Sequence, residues 1–567
     1  MKLSSFANLL PRRSDYTATK KTWRFDLLAG LTVGIVALPL ALAFGVSSGV
    51  GAEAGLITAI IAGLVAAIFG GSNIQVSGPT GAMVVVLLPI VVDFGVQYVA
   101  TVAIIAGVLV LAAGIFKLGR TIGYVPWPVI EGFTVGIGII IFLQQFPSAF
   151  DVNGKGNSTN AVVAAWQVVR AATWPQALIP LAVAAAVAAI MTVLTKWRPG
   201  LPASIIALGA VSVVVTVANI PVARIGELPS SLPSPSLPTF DFGTVTMLLP
   251  AAFAVAILAG IESLLSARVA ASISDTGPYD PDRELVGQGL ASIAAGFFGG
   301  MPATGAIART AVNVRSGGRT RLSSITHSLV LLAVVYLATN LVSTIPLSAL
   351  AGVLMVTAAR MVSPLTIKTV MKASRSDALV FAVTALITVS VDLIVAVGIG
   401  IAVAGILALR ALSSRSGVHR VDLPGPPQPG DERIALFRID GSLFFAAAEK
   451  ITEEIWAQAW VDVVILRLSQ IQGLDSTGAH SLSELIVSLE RNGITVLVKG
   501  IKREHLGLMQ HLGVIGALRD PKHLFEELPA AVTHARKHTA RSQTGTVSNG
   551  ASEAIPTTGT LPTPKYK

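Results

Sequence analysis

The sequence predicts a polytopic α-helical membrane domain followed by a small cytoplasmic α/β domain. Three observations carry that reading. Hydrophobic residues make up 53% of the 567 positions and charged residues only 13%, where a soluble domain carries about 25% charge. Mean hydropathy is +0.72. Such a chain cannot clothe a soluble surface, which excludes an ordinary cytosolic enzyme and a wholly disordered protein. Second, apolar runs follow one another from Asp26 to about Leu412 with short polar breaks, and about 20 apolar residues make one helical crossing. Third, composition shifts abruptly after that stretch, and strand-like and helix-like segments begin to alternate.

Residues 1–25 lack an apolar region ahead of a cleavage site and read as a basic cytoplasmic lead-in. Residues 26–412 hold about 14 candidate segments, two or three of them too short or too glycine-rich to span alone. The basic breaks Lys117–Arg120, Lys196–Arg198, Arg315–Arg321 and Arg360–Arg375 alternate with cation-poor breaks at Ser148–Asn160 and Ile220–Phe242. Positive charge gathers on the cytoplasmic side, so both ends of this multi-pass domain are expected in the cytoplasm of a cell-membrane protein, with an even number of spans. The net charge of +10 follows the same pattern; it reads as topology and not as nucleic-acid binding. Residues 413–433 form a proline- and charge-rich linker, 434–535 the α/β domain, and 536–567 a Ser/Thr/Pro/Gly-rich tail expected to be disordered.

One internal repeat points to function. Ser77–Val86 reads SGPTGAMVVV and Met301–Thr310 reads MPATGAIART, so both halves carry Thr-Gly-Ala just after a proline. Glycine- and proline-interrupted apolar segments at matching places in two halves mark the binding site of an inverted-repeat transporter. Pro79 and Pro302 are expected to start half-helices inside the membrane, because a first-turn proline lacks only a donor that would be unpaired anyway. Each half-helix then aims unpaired N–H groups and a positive dipole end at its ligand. Two facing ends suit a small anion. Gly78, Gly81 and Gly305 admit close approach, Ala82 and Ala306 complete the repeat, and Thr80 and Thr304 supply hydroxyl donors. The bland alternative is a pair of packing kinks.

Arg309 lies in the second segment. An arginine near mid-membrane costs about 2.5–3.5 kcal/mol on insertion scales, so it is expected to face the anion, an ion-pair partner or the interface. Glu262 is the lone charge of TVTMLLPAAFAVAILAGIESLLSA and a candidate proton carrier or cation ligand, H⁺ or Na⁺; its alternative role is to balance Arg309. Ala59, Gly63, Ala67 and Gly71 form a small-residue packing stripe, and His327 reads as a packed polar residue. With no cysteine, no Walker loop, no G-x-S-x-G and no H-E-x-x-H, neither an enzyme, a metal site nor a cofactor is expected.

These residues resemble the SulP (sulfate permease) family of anion transporters. The likeness runs through DLLAGLTVGIVALPLALAFG at 26–45, SGPTGAM at 77–83, RIGELP at 224–229, ELVGQG at 284–289, GGMPATGAIARTAVNVRSGGRT at 299–320 and IPLSALAGV at 345–353. The C-terminal region looks like a STAS domain, with Asp475, Ser476, Thr477 and Gly478 matching its DSxG-type turn. The resemblance implies about 14 membrane segments in two inverted repeats of seven, divided into core and gate domains. It places Leu40 and Phe44 of the first segment and Glu262 of the eighth around the substrate. It also implies a secondary active carrier of sulfate or bicarbonate class, or a dicarboxylate carrier or anion channel on the same fold, assembled as a homodimer in lipid. The first segment is closest to the cyanobacterial sodium-bicarbonate branch. Glu262 stands where that branch has aspartate, and Ile307 and Arg309 where it has threonine and glycine; Arg309 resembles the sulfate, chloride and dicarboxylate members. In the STAS-like region Asp475 and Ser476 are expected to cap a helix, leaving Thr477 at an exposed turn open to phosphorylation, or serving only the cap.

Overall fold

The computed structural model describes residues 9–17, 19–152, 160–198, 201–227, 231–238, 242–390, 393–414, 417–458 and 461–546. The chain divides into two compact units, 1–404 and 405–567, with the boundary falling inside the helix Leu393–Ser414.

The first unit opens with α1 (Thr19–Ser47), α2 (Ala52–Phe69), the two-residue strand β1 (Ser77–Gly78), α3 (Gly81–Phe94), α4 (Val99–Ile115), α5 (Trp127–Gln144), α6 (Leu178–Trp197) and α7 (Ala203–Val217). The same series then repeats as α8 (Phe242–Ser272), α9 (Pro281–Phe297), the strand β2 (Thr304–Gly305), α10 (Ile307–Arg315), α11 (Arg321–Leu337), α12 (Leu347–Met361), α13 (Arg375–Ser390) and α14 (Leu393–Ser414). Among the described residues, seven helical stretches are long and apolar enough to cross a membrane. The third and tenth helices are only 14 and 9 residues long, because the chain before each runs extended.

Helix packing shows the internal symmetry. α1 packs on α11 and α8 on α4; α2 packs on α11 and α9 on α4; α5 packs on α13 and α12 on α6. Exchanging each helix for the one seven places along converts the first member of each pair of contacts into the second. The contacts also sort the helices into two groups, α1–α4 with α8–α11, and α5–α7 with α12 and α13. These correspond to the core and gate that the family resemblance implies. Small residues let the core helices close up: a Cβ on Gly71 would stand 1.9 Å from the Asp280 carbonyl oxygen, and one on Gly55 would stand 2.1 Å from that of Ala41.

Two expectations about this unit need correcting. α1 starts at Thr19, ahead of the expected boundary at 26, so Lys20, Lys21 and Arg24 ride its first turns. Pro79 and Pro302 do not occupy the first turns of α3 and α10; the N-cap positions are Thr80 and Ala306. Pro79 follows β1 and Pro302 precedes β2, and a rigid φ suits those extended entries as well as it suits a helix.

The second unit is a five-stranded sheet in the order β3-β4-β5-β6-β7: β3 (Gly417–Val421), β4 (Ile434–Leu443), β5 (Val463–Leu474), β6 (Thr495–Lys499) and β7 (Leu524–Phe525). β3 is antiparallel to β4, and the other pairs are parallel. Parallel neighbours need crossovers; α15 (Phe445–Gln458), α16 (Ser476–Arg491) and α17 (Arg503–His511) supply them, and α18 (Leu528–Thr546) follows β7. Ala531, Val532 and Ala535 of α18 cover Ile434, Leu436, Val463, Ile465 and Leu497 on one sheet face.

Here too the boundaries shift. The expected linker, 413–433, contains β3, whose Val418 is buried. The expected tail, 536–567, begins inside α18, which is helical to Thr546; residues 547–567 lie outside the described residues. α18 forms because Ala531, Val532 and Ala535 find an apolar sheet face, which a scan for long apolar runs does not reveal.

Candidate functional site

The two interrupted segments meet. β1 and β2 pair antiparallel, with Ser77 opposite Gly305 and Gly78 opposite Thr304. This pairing sets the starts of α3 and α10 side by side, although the two strands come from different halves of the chain.

The extended chain that makes this crossing is satisfied by side chains from other helices. Asn313 Nδ2 donates to the Ile74 carbonyl at 2.7 Å, Ser324 Oγ to the Gln75 carbonyl at 2.8 Å, and the Val76 N–H donates to Thr310 Oγ1 at 3.0 Å. The Ala306 N–H donates to the Val76 carbonyl at 2.9 Å. Gln288 Nε2 donates to Ser77 Oγ at 2.6 Å. Such satisfaction is what allows irregular backbone at membrane depth.

Beyond the crossing, each half-helix begins with open donors. The first recorded intrahelical bonds run from the Val84 N–H to the Thr80 carbonyl and from the Thr310 N–H to the Ala306 carbonyl. The N–H groups of Gly81, Ala82 and Met83, and those of Ile307, Ala308 and Arg309, therefore have no intrahelical acceptor. Each such end carries about +0.5 elementary charge.

Glu262 of α8 sits where the two segments meet. Thr80 Oγ1 donates to Glu262 Oε2 at 2.7 Å, and Thr304 Oγ1 lies 2.8 Å from the same oxygen. Both hydroxyls, expected to serve an incoming anion, are instead turned to the carboxylate. The next residue, Ser263, accepts the Gly305 N–H on its Oγ at 3.1 Å, and its carbonyl accepts from Gln75 Nε2 at 3.2 Å. Glu262 is half-buried.

Arg309 is 1% exposed and donates through Nη2 to the Pro79 carbonyl. Its other terminal nitrogen, Nη1, has no hydrogen-bond partner. A Cβ on Gly78 would stand 2.5 Å from that nitrogen, so the glycine is what makes room for the guanidinium. Among the described residues no ion pair joins Arg309 to Glu262, and neither snorkelling nor a permanent pair describes this arginine. It ties the second segment to the first.

The remaining expected residues fall nearby. A Cβ on Gly81 would stand 2.1 Å from Ile141 Cδ1 and 3.6 Å from the Phe44 ring, so Phe44 lies against the tip of α3. Leu40 stands one turn earlier on α1, on the same face and buried. Ala82 and Ala306 are buried, whereas Ile307 is 41% exposed and Ala308 is also open. The first turn of α10 therefore has one exposed face. Sequence reasoning missed Gln75, Ile141 and Ser263; a polar residue two before the first repeat and one after Glu262 are the signals available. His327 is packed as expected, yet both ring nitrogens lack a hydrogen-bond partner.

In the second unit Asp475 caps α16, accepting the Gly478 N–H at 2.7 Å. Ser476 is the first helical residue and not part of the cap, a correction to the expected shared role. Ser476 and Thr477 are exposed. Elsewhere in this unit, Arg536 forks onto Asp431 with two 2.8 Å bonds and holds that carboxyl below its usual range.

Comparison with known proteins places the two units of the chain in known families. Residues 24–384 match the sulfate permease family and residues 426–531 the STAS domain. YvdB of Bacillus subtilis, named as a candidate sulfate transporter, is 33% identical over 88% of this chain and 96% of its own length. The bicarbonate transporter BicA of Synechocystis sp. is 33% identical over 84% of this chain and 88% of its own. Among solved structures, the transmembrane domain of a cyanobacterial BicA aligns at 34% identity over 66% of this chain and 98% of that one, with a TM-score of 0.61. The murine Solute Carrier 26 family member A9 anion transporter, in the inward-facing state, covers 94% of this chain and 95% of its own at 18% identity and a TM-score of 0.81, a likeness of fold.

Proposed function

The chain belongs to the sulfate permease family of membrane transporters, and from that premise we propose that it is a secondary active carrier of a small inorganic anion of the sulfate or bicarbonate class. The substrate sits between the open ends of α3 and α10, lined by Leu40, Phe44, Thr80, Gly81, Ala82, Thr304, Gly305, Ala306 and Arg309. The observation that carries this reading is the β1–β2 pairing, which brings two positive helix ends and a guanidinium to one place.

The electrostatics favour coupling. Two helix ends supply about +1 together and Arg309 another full charge, against one negative charge on Glu262. Neutralising Glu262 leaves the site more positive, so a proton and an anion bound together favour each other by reciprocal linkage. A sodium ion held by Glu262, Thr80 and Thr304 oxygens would act in the same direction, since hard cations take oxygen ligands. The carrier works in the cell membrane as a homodimer with both termini cytoplasmic.

Purified protein in liposomes, offered sulfate, bicarbonate, chloride and a dicarboxylate with and without imposed H⁺ or Na⁺ gradients, tests the proposal. Gradient-driven accumulation of sulfate or bicarbonate is expected. Flux of every anion that ignores both gradients is the result of a channel, and preference for the dicarboxylate would move the substrate class.

A further inference from the structure

We propose that the STAS domain carries a transition-metal site formed by His523, His534 and His538, one that takes Zn²⁺ or a cation of similar chemistry. One ring nitrogen from each of the three side chains falls within 4.8 Å of the others. With no cysteine and no H-E-x-x-H, the sequence predicts no metal site. The third ligand appears only when the chain folds.

The local structure explains the convergence. His534 and His538 are four residues apart on α18 and so share a face. His523 comes from the turn that enters β7, the last strand of the sheet, and α18 packs on that strand. Asp520 fixes the turn: its Oδ1 accepts the Lys522 N–H at 2.9 Å, and its carbonyl accepts the His523 N–H at 2.9 Å. The His523 backbone is thereby held with its ring aimed at α18, its centroid 5.4 Å from that of His534 and 5.5 Å from that of His538.

Two further observations fit a cation. Nε2 of His534 and Nε2 of His538 are 3.2 Å apart, within reach of an N–H···N hydrogen bond in the metal-free protein; the same spacing suits two ligands of a tetrahedral zinc, which at about 2.0–2.1 Å from the metal stand roughly 3.3–3.4 Å from each other. His523 is 4% exposed, and its Nδ1 has no hydrogen-bond partner. A buried imidazole nitrogen without a partner is costly, and a metal bond removes the cost. Three imidazoles select borderline metals over Mg²⁺ or Ca²⁺, which prefer oxygen. The three leave a fourth position for solvent or an added ligand. The consequence is a staple between the C-terminal helix and the edge of the sheet.

The test uses tag-free full-length protein in detergent, stripped with chelator and titrated with ZnCl₂ by calorimetry, with no substrate anion present. One equivalent of zinc per chain is expected, with a raised unfolding temperature. Titration with Co²⁺ is expected to give the visible absorption of a four-coordinate site. His523→Ala and His538→Gln each lose that equivalent, whereas His480→Ala, on α16, keeps it. Zinc uptake unchanged in His523→Ala, or no saturable uptake and no cobalt absorption in the wild type, overturns the proposal. Because the wild-type cobalt spectrum needs no variant, a misfolded mutant does not shield it, and none of these readouts depends on transport.

Discussion

Thr80 and Thr304, separated by 224 residues in the sequence, bring their hydroxyl oxygens within 3.0 Å of each other. Both also reach one oxygen of Glu262, at 2.7 and 2.8 Å. The equivalent residue of each half thus converges on a single carboxylate from a third element, and whatever happens to that carboxylate is felt at the start of both half-helices.

Arg309→Ala is expected to lower anion affinity by roughly tenfold or more, where each tenfold is about 1.4 kcal/mol, without unfolding the protein. Arg309→Lys should fall between the two, since an ammonium keeps the charge but not the fork that holds the Pro79 carbonyl with one nitrogen and leaves another free. Substrate titration by thermal shift reads both. Wild-type affinity in Arg309→Ala would move anion recognition to another place.

Gly71→Ala is expected to destabilise the membrane unit by at least about 1–3 kcal/mol, the usual cost of overpacking, because the new methyl would meet the Asp280 carbonyl oxygen at 1.9 Å. Gly209→Ala, with nothing within 4 Å of the added carbon, should be neutral or stabilising by up to about 1 kcal/mol in mid-helix. Unfolding midpoints in detergent separate them. Equal midpoints would mean that the α2–α9 approach is looser than described.

The pair that organises the site was legible only in part. The Thr-Gly-Ala repeat stands in the sequence, and a lone glutamate in an apolar run announces itself. The direction of the hydroxyls does not, because it depends on the β1–β2 pairing between the two halves of the chain. Gln75 and Ser263 act by holding backbone, a role their residue type does not specify. In the second unit β3 is five residues long and borders a proline-rich stretch, so composition hides it. α18 continues past the expected tail boundary at 536 through polar residues with no apolar period of their own. His523 becomes a neighbour of His534 and His538 only through packing.

Thr477 stands exposed at the start of α16, where a phosphate would meet the positive helix end. If the turn is regulatory, Thr477→Glu changes transport rate in liposomes while Thr477→Ala, in the absence of a kinase, leaves it near wild type. Wild-type flux and wild-type oligomer mass in both variants would reduce the turn to a structural cap. A truncation that asks the same question should end before residue 417, not at 433, because β3 belongs to the sheet.

Arg536→Gln should loosen α18 in a pH-dependent way. The paired Asp431 carboxyl lies below its unfolded value of about 3.9. The contribution of the pair is therefore complete above that value and is lost as pH falls through the folded one. Hydrogen exchange in α18 should be faster in the variant than in wild type at pH 7, and the two should converge as pH falls through the lowered folded pKa of Asp431. The difference is small, as befits a half-buried pair at the surface; a difference that acidification leaves unchanged would assign it to packing by the arginine stem.

The most direct test of the coupled anion site is gradient-driven accumulation by Glu262→Gln in liposomes. A glutamine retains an oxygen that can accept from Thr80 and Thr304, so the junction of the half-helices keeps its shape, but it can neither cycle a proton nor hold sodium as well. The account predicts that wild-type protein accumulates sulfate or bicarbonate along an imposed H⁺ or Na⁺ gradient, while the variant still binds the anion and no longer accumulates it. A variant whose uptake follows the gradient as wild type does would contradict the account and leave Glu262 a structural residue.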